Sequence, residues 1–388
     1  MTTSLIAAGS LALPGPEGTR LTGPGWVRVA GGRIAEVGEG APPAAPDLAC
    51  DAGVLAPGLI DLQVNGYYGY DFADAGDEAW AETVRRLPET GVTAILPTFI
   101  TAPIPVLAEQ IAAAARRIPH LPADGARVLG LHVEGPFLSS RRPGAHNTAW
   151  MSDPTPADVD RLLAAGSGHI AMLTLAPERD GALAAIKRLD AAGVLVSVGH
   201  SDALATQVAA AADAGARKVT HLFNAQRPMT HREPGVPGQA LTDERLTSGL
   251  IADLHHVHPS VCRLAFAAAP GRVCIVTDAA SSAGMPAGRY RLGGEAVNQP
   301  AEGPPLRDDG TIAGSALRLD LGVANMIEAG VDPAAAVDSA TRVPAALIGQ
   351  EPYGRIAPGA AADLTWLGPD WRARATWVAG RQVFGGTA

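Results

Sequence analysis

Residues 181–202 read GALAAIKRLDAAGVLVSVGHSD, an alanine-rich helical pattern and a glycine followed by a short apolar run that ends in a histidine. The same alternation recurs along the middle of the chain, which is typical of βα units that build a parallel sheet. It predicts eight strands, at 59–64, 92–97, 128–133, 170–175, 194–199, 217–221, 248–252 and 273–277. Helical patterns lie between them at 103–117, 156–165, 181–192, 203–214 and 259–269.

Eight such units over about 250–300 residues are the size of an α/β protein of the (β/α)8 TIM-barrel class. A doubly wound open sheet is the alternative, but no GxGxxG motif opens a first helix. Both ends of the chain read instead as short strands and turns, and Gly31-Gly32 between two alternating runs predicts a hairpin. We therefore predict a catalytic barrel over residues 56–354 and a small β-sandwich domain formed by residues 1–55 and 355–388.

The composition excludes several function classes. The chain has 388 residues, 47% of them hydrophobic, and a net charge of −9 with no block of lysine or arginine. This balance argues against a nucleic-acid or membrane-surface partner, although a few arginines can still bind a small anion. Three cysteines without CxxC spacing exclude a disulfide framework and a thiolate zinc site. No basic residue precedes the apolar N-terminal stretch, and no apolar run reaches the roughly 18 residues of a membrane span, so we expect a cytoplasmic protein.

Polar side chains stand where the predicted strands end, which is where a barrel carries its active site. A catalytic divalent metal needs about three imidazole or carboxylate ligands and one open position. Glu134, His200 and His221 supply these groups from three strands, and Asp278 on the last strand is left for proton transfer. Each residue also has a plainer interpretation. His200 and His221 could be structural histidines, Glu134 could pair with an arginine, and Asp278 could cap a helix. Their joint occurrence at strand ends favours the metal site.

The ordered motifs resemble a known family. The stretch Ala56-Pro57-Gly58-Leu59-Ile60-Asp61 precedes Gln63-Val64-Asn65-Gly66, where amidohydrolases usually carry His-x-His. Further motifs follow in order: His132-Val133-Glu134-Gly135-Pro136-Phe137, Gly199-His200-Ser201, Thr220-His221-Leu222-Phe223-Asn224-Ala225 and Val276-Thr277-Asp278-Ala279. Together, over residues 56 to about 316, they resemble the N-acetylglucosamine-6-phosphate deacetylase family of the amidohydrolase superfamily.

The resemblance implies roles for particular residues. Glu134, His200 and His221 would hold one divalent metal ion per subunit, with Zn²⁺ as the first choice and Fe²⁺, Mn²⁺ or Co²⁺ as alternatives. Asp278 would be the base that later protonates the leaving amine, and Gln63 and Asn65 would mark the vacated first metal site. The implied substrate contacts are Ala145, His146, Asn224, Ala225, Arg232, His256, Ile312, Ala313 and Gly314.

The resemblance also implies a substrate and a partner. The expected reaction is hydrolysis of N-acetyl-D-glucosamine 6-phosphate to D-glucosamine 6-phosphate and acetate, in amino-sugar catabolism and recycling. Asn224 and Ala225 would contact the sugar phosphate. Arg232 and His256 would contact the phosphate bound in the neighbouring site of a homodimer. The arginine fork suits phosphate oxygens, although Arg232 could equally pair with Glu233.

Two other functions stay open. One is a metal-dependent deacylase of another N-acyl amino sugar or amino acid. Such relatives usually carry His-x-His and a modified lysine, whereas Lys187 and Lys218 are the only lysines here and neither stands at a predicted strand end. The other is a non-catalytic amidohydrolase-like scaffold, which should have lost a ligand or the base.

Overall fold

A computed structural model describes residues 3–385 of the chain. Its centre is a barrel of parallel strands, which we label in chain order: β1 Leu59–Val64, β2 Val92–Ile100, β3 Leu131–Glu134, β4 Ile170–Leu175, β5 Leu195–Val198, β6 Ala216–Val219, β7 Thr247–Ile251 and β8 Val273–Val276. All eight predicted strands are confirmed, and β1 and β4 coincide with their predicted bounds. The largest differences are that β2 runs on to Ile100 and that β3 begins at Leu131, after a separate short strand, Arg127–Val128.

The strands pair in chain order from β1 to β8, and every pair is parallel. The last strand then returns to the first, because Val64 and Ala279 form a parallel bridge and the amide of Asp278 donates to the carbonyl oxygen of Gln63 over 2.9 Å. This closure places the end of β8 directly beside the end of β1.

The helices of the fold are α1 Asp77–Arg86, α2 Ile104–Arg117, α3 Pro156–Gly166, α4 Ala182–Ala191, α5 Ala205–Ala214, α6 Gly235–Thr242, α7 Pro259–Ala268, α8 Leu319–Glu328, α9 Pro333–Ser339 and α10 Arg342–Leu347. In α2 the buried side chains Leu107, Ile111 and Ala114 recur at helical spacing, so the stripe that faces the sheet is continuous. Single 3-10 turns lie at Leu87–Thr90, Ile118–His120 and Thr148–Trp150. None of the helices in residues 3–385 is both long and apolar enough to cross a bilayer.

Two four-stranded sheets are built from the ends of the chain. One orders Arg33–Glu39, Gly25–Ala30, Thr3–Ala8 and Leu48–Cys50, and the other orders Arg381–Phe384, Ala373–Val378, Leu364–Leu367 and Val54–Pro57. The predicted hairpin at Gly31-Gly32 is confirmed, and both glycines have positive φ, 57° and 76°. The sheets share a second apolar core that includes Val27, Leu55 and Trp377. The predicted boundary after residue 55 falls inside a strand, and the division into two domains stays a prediction.

Shorter strands complete the fold. Ala12–Gly15 pairs with Gly18–Leu21, Gly66–Tyr67 pairs with Tyr70–Asp71, and Gly288–Leu292 pairs with Glu295–Gln299. The last of these, which we call the mouth hairpin (residues 288–299), is inserted between β8 and α8. Its turn is Gly293-Gly294, and φ is positive at both residues, 55° and 84°, as two-residue hairpin turns require.

Candidate metal centre and active site

Three side chains that can bind a metal converge at the carboxyl ends of β3, β5 and β6. Glu134 is the last residue of β3, while His200 and His221 stand two residues beyond β5 and β6. The Nε2 atom of His221 lies 3.0 Å from Glu134 Oε1 and 3.0 Å from His200 Nε2, and His200 Nε2 lies 3.4 Å from Glu134 Oε1. All three side chains are buried. The structure therefore brings the three predicted ligands into one cluster.

The donor chemistry of this cluster fits a cation. The Nδ1 atom of His200 lies 3.1 Å from the carbonyl oxygen of Arg142, and because a carbonyl only accepts, this nitrogen carries the ring proton. The Nε2 atom of a neutral His200 then turns a lone pair toward the carboxylate of Glu134 and toward His221. Such lone pairs repel one another unless a positive charge lies between them. One carboxylate and two imidazoles are ligands for Zn²⁺ and other first-row divalent ions.

Asp278 lies beside this cluster and is held by two amide side chains. Its Oδ1 atom accepts hydrogen bonds from Asn65 Nδ2 over 2.7 Å and from Gln63 Nε2 over 3.2 Å. The same Gln63 nitrogen lies 3.2 Å from each carboxylate oxygen of Glu134. Gln63 and Asn65 thus act as hydrogen-bond donors to the two carboxylates, and this geometry does not offer their oxygens to a second metal.

The environment of Asp278 disfavours its ionised form. Burial, and after it the nearby negative charge of Glu134, raise the pKa of Asp278 to about 7. The positive charge of a protonated His221 and the hydrogen bond from Asn65 act in the opposite direction. Asp278 is therefore poised to exchange a proton near neutral pH. Its carboxylate does not cap a helix, because the chain continues from β8 into the mouth hairpin rather than into a helix.

Several residues of this centre have a strained backbone. The φ angle is 47° at His200, 26° at His221 and 50° at Asp278, in the left-handed region that side chains other than glycine rarely adopt. Ala225, in the loop after β6, also has a positive φ of 49°. Such strain persists only where surrounding contacts hold it, and it concentrates at functional sites.

A cavity of about 260 Å³ opens over the cluster. It is lined by Asn65, Ile100, Glu134, Gly144, Ala145, His146, His200, His221, Asn224, Ala225, Ile251, His256, Asp278, Leu292, Thr311, Ile312 and Gly314. Most of the substrate-contacting residues expected from the resemblance therefore surround one space. Two do not: Ala313 is fully buried behind its neighbours, and Arg232 lies outside the cavity.

His146 is oriented by the residue that follows β2. The backbone N–H of Thr101 points at His146 Nδ1 over 3.4 Å, and the Thr101 hydroxyl lies 2.8 Å from the same atom. An N–H group only donates, so Nδ1 is the acceptor and Nε2 carries the ring proton. Burial lowers the pKa of His146 well below its ordinary value, which keeps the ring neutral. His146 therefore presents a neutral N–H donor at the cavity.

His256 lines the cavity of its own chain, and its expected reach into a neighbouring site stays a prediction. Asp253, just beyond β7, explains its direction. One Asp253 oxygen accepts hydrogen bonds from the backbone amides of His255 and His256, and the other lies 2.7 Å from His256 Nδ1. These contacts turn the His256 ring into the mouth of the barrel.

Arg232 is exposed on the loop that precedes α6. Within the part of the chain that the structure describes, its side chain makes no ion pair or hydrogen bond, so the alternative pairing with Glu233 is not observed. Glu233 instead accepts hydrogen bonds from the backbone amides of Ala205 and Gly235. No lysine or arginine is among the described residues that line the cavity.

Some cavity residues were missed by reasoning from the sequence. Ile100 was missed because β2 was predicted to end at residue 97, and extending that strand would have found it. Thr101, which orients His146, is the residue after Ile100 and was missed for the same reason. Leu292 carried no comparable signal, because it comes from the inserted mouth hairpin rather than from a barrel strand.

Comparisons with known proteins agree with this geometry. The model of the amidohydrolase family matches residues 54–383. N-acetylgalactosamine-6-phosphate deacetylase of Escherichia coli O157:H7 is 37% identical over 368 residues, which cover 93% of this chain and 96% of that protein. N-acetylglucosamine-6-phosphate deacetylase of Vibrio furnissii is 36% identical over 334 residues, covering 85% and 83%.

A solved structure is similar over nearly the whole chain. It is a mutant of N-acetyl-D-glucosamine-6-phosphate deacetylase from Mycobacterium smegmatis in complex with N-acetyl-D-glucosamine-6-phosphate. It has a TM-score of 0.92 and 37% sequence identity, and the match covers 99% of this chain and 100% of that one. On these grounds the chain belongs to the N-acetylglucosamine-6-phosphate deacetylase family of amidohydrolases.

Proposed function

We propose that this protein hydrolyses the acetamide of N-acetyl-D-glucosamine 6-phosphate, which yields D-glucosamine 6-phosphate and acetate in amino-sugar catabolism. The observation that carries the proposal is the joint presence, in one cavity, of the ligand cluster Glu134, His200 and His221 and of the buried acid Asp278. A scaffold that had lost catalysis would not need to keep a strained backbone at these positions. The family membership supports the same substrate class.

Glu134, His200 and His221 would hold one divalent metal ion per chain, with Zn²⁺ as our first choice. When bound, such an ion polarises an amide carbonyl and lowers the pKa of a water molecule. Gln63 and Asn65 donate hydrogen bonds to carboxylates in this chain, which supports a single metal rather than a pair. Counting metal in the purified protein would test this stoichiometry.

Asp278 is proposed to move the proton in both halves of the reaction. Its carboxylate takes a proton from the attacking water and then delivers it to the amine nitrogen as the C–N bond breaks. A pKa near the working pH suits a group that must first accept and then donate. The neutral N–H of His146 would donate a hydrogen bond to an oxygen of the substrate. Ala145, Ile312 and Gly314, which line the cavity, are proposed to form the walls around the sugar, with Ala313 buried between the last two in the chain.

The phosphate is proposed to bind at the loops after β6 and β7. The backbone N–H of Ala225 has no hydrogen-bond partner among the described residues, and this residue lines the cavity. Asn224 and His256, on the loops after β6 and β7, also line the cavity. We further propose that the chain acts as a homodimer in which Arg232 reaches the phosphate in the partner's site. The exposure of Arg232 and the lack of a cationic side chain in the described cavity wall support this arrangement.

The test is formation of glucosamine 6-phosphate from N-acetylglucosamine 6-phosphate, on protein whose metal content has been counted. We expect turnover with about one metal per chain, and we expect a chelator to abolish it. Metal-loaded protein that leaves this substrate intact would overturn the proposed substrate. Protein that neither binds metal nor turns over after metal is added back would favour the scaffold.

N-acetylgalactosamine 6-phosphate is a second candidate substrate, because a curated relative at 37% identity carries that name. The two sugars differ only in the configuration at C4. A side-by-side comparison of kcat/KM for both phosphates would decide which of them the cavity prefers.

The exchange Asn65→Ala should move the pH profile. The Asn65 side chain donates to the Asp278 carboxylate, which favours the ionised form and lowers its pKa. Without this donor the pKa of Asp278 rises, so a larger fraction of the base is protonated and inactive at a given pH. We expect the acid limb of kcat/KM to shift upward by about one pH unit, since a hydrogen bond to a charged group contributes about 1.5–3 kcal/mol.

A matched control for this variant is Asn298→Ala. Asn298 makes the same kind of bond, from Nδ2 to the Asp308 carboxylate over 2.7 Å, but on an exposed surface. Its pH profile should not move. An unshifted acid limb in the Asn65 variant would argue against Asp278 as the titrating base.

The exchange Arg232→Ala should weaken binding of the phosphorylated sugar. A charge-assisted contact to phosphate contributes about 1.5–3 kcal/mol, so we expect KM to rise about 10- to 100-fold with kcat little changed. Unphosphorylated N-acetylglucosamine should be affected much less. The exchange Arg141→Ala removes another exposed arginine at the barrel rim and serves as the control. Equal losses on both sugars would remove Arg232 from the phosphate site.

A further inference from the structure

One wall of the cavity is apolar, although the chemistry at its base is polar. Ile100 and Leu292 both line the cavity. Leu292 belongs to a small buried cluster with Ala280, Val297 and Ala313, and Ile100 packs against that cluster. The acid Asp278 and the ligand cluster make no use of this wall, so it is open to contact with an apolar part of the substrate.

Ile100 lies next to the ligand cluster. It is the last residue of β2, and its Cα is the in-register partner of Glu134 on β3. Paired residues on neighbouring parallel strands project to the same side of the sheet, so the Ile100 side chain enters the mouth of the barrel alongside the Glu134 carboxylate. An acyl group whose carbonyl approaches the ligand cluster therefore meets Ile100.

The mouth hairpin closes this wall from above. A Cβ atom on Gly293 would lie 2.4 Å from Ile100 Cδ1 and 2.5 Å from Ile100 Cγ1, so the turn rests directly on the isoleucine. The turn is fixed in place, since the Gly293 amide donates to the buried Asp71 carboxylate over 2.7 Å. Ile100 therefore has no free space on the side of the hairpin into which a larger substrate could push it.

The position of Ile100 in the ring of strands indicates which part of the substrate it contacts. The proposed phosphate end lies at the loops after β6 and β7, whereas Ile100 ends β2, which stands across an eight-stranded ring from β6. In an N-acyl amino sugar, the sugar nitrogen and the acyl carbon chain are separate substituents of a trigonal carbonyl carbon, so they leave it on different sides. With the sugar directed toward β6, the acyl chain is directed toward β2.

We propose that Ile100 and Leu292 form an acyl subsite that admits acetyl and rejects longer acyl groups. This inference rests on the proposed function, since it assumes a phosphorylated N-acyl amino sugar as substrate. It names these two residues as determinants of acyl-chain length, a property separate from the metal cluster and from Asp278. A single methylene in an apolar pocket changes kcat/KM about 10- to 200-fold, which sets the size of the expected effect.

The test compares N-acetyl, N-propionyl and N-butyryl glucosamine 6-phosphate on the metal-loaded, full-length protein. The readout is the ratio of kcat/KM for each longer acyl group to kcat/KM for acetyl. We expect the wild-type protein to favour acetyl strongly. In Ile100→Ala the butyryl-to-acetyl ratio should rise by about tenfold or more, and Leu292→Ala should raise it as well.

Ile251→Ala is the matched control. Ile251 is the same residue type and also lines the cavity, but it ends β7 on the side of the proposed phosphate end. Its loss should leave the butyryl-to-acetyl ratio unchanged. If Ile100→Ala does not fold, Ile100→Val makes a smaller cut in the same wall and Leu292→Ala cuts the wall at its other residue, and each should raise the propionyl ratio.

The outcomes separate this inference from the proposed function. An unchanged acyl ratio in folded Ile100 and Leu292 variants that still hydrolyse the acetyl substrate would overturn the acyl subsite alone. The same holds if Ile251→Ala raises the ratio as much as Ile100→Ala does. Wild-type protein that hydrolyses none of the three phosphorylated substrates, while it carries metal, would overturn the proposed function and the subsite with it.

Discussion

The exchange Asp278→Asn should lower kcat by about 10³- to 10⁴-fold while the protein keeps its metal. A positioned acid–base group contributes about 10²- to 10⁴-fold to a rate, and Asp278 is proposed to act in two successive proton transfers. The asparagine oxygen can still accept the hydrogen bonds that Asn65 and Gln63 donate, so the fold and the ligand cluster should survive. An amide cannot take a proton from water at neutral pH. The measurement is kcat at saturating substrate together with the metal content of each preparation.

The control for Asp278→Asn is Asp363→Asn. Asp363 is also a buried carboxylate, but it is paired with Arg127 and does not line the cavity. This exchange removes one negative charge at a position outside the active site, so kcat per folded molecule should be unchanged. Near-wild-type turnover of a metal-loaded Asp278→Asn protein would assign the proton transfer to another group.

Most of the barrel could be predicted because its strands are buried on both faces. Such strands read as short apolar runs, and the runs at 59–64 and 170–175 give the bounds of β1 and β4 to the residue. Glu134, His200 and His221 are polar residues that end or directly follow such apolar runs, so they could be assigned to the carboxyl edge of the sheet. The carboxyl ends of parallel strands meet there, which made the cluster predictable without knowledge of any distance.

The features that could not be predicted depend on contacts between distant parts of the chain. The direction of His256 is set by the hydrogen bonds of Asp253, whereas spacing along the sequence gave only its neighbourhood. Gln63 and Asn65 were expected only to mark a vacated metal site, and nothing in the sequence showed that their NH₂ groups donate hydrogen bonds to the two carboxylates. The positive φ angles of His200 and Asp278 carry no local sign such as a glycine. Leu292 reaches the cavity only because the mouth hairpin folds over β2.

The exchange Glu134→Gln should remove both the metal and the activity. Glu134 supplies the only carboxylate of the predicted ligand set, and an amide oxygen is a neutral and much weaker donor to a divalent cation. The remaining imidazoles of His200 and His221 bring no negative charge to offset the cation. We expect metal content well below one per chain after dialysis and a loss of kcat/KM of about 10³-fold or more. Metal analysis and the deacetylation assay on the same sample measure the two effects together.

This exchange also separates a metal-dependent enzyme from one that uses Asp278 alone. If the cation activates the substrate, turnover in Glu134→Gln should return in part when excess divalent metal is supplied, because the two histidines and the cavity are still present. The control Asp338→Asn alters a carboxylate paired with Arg342 outside the cavity and should keep its metal. A Glu134→Gln protein that stays active without bound metal would show that the cluster of Glu134, His200 and His221 has a structural role, since loss of the cation would then leave catalysis intact.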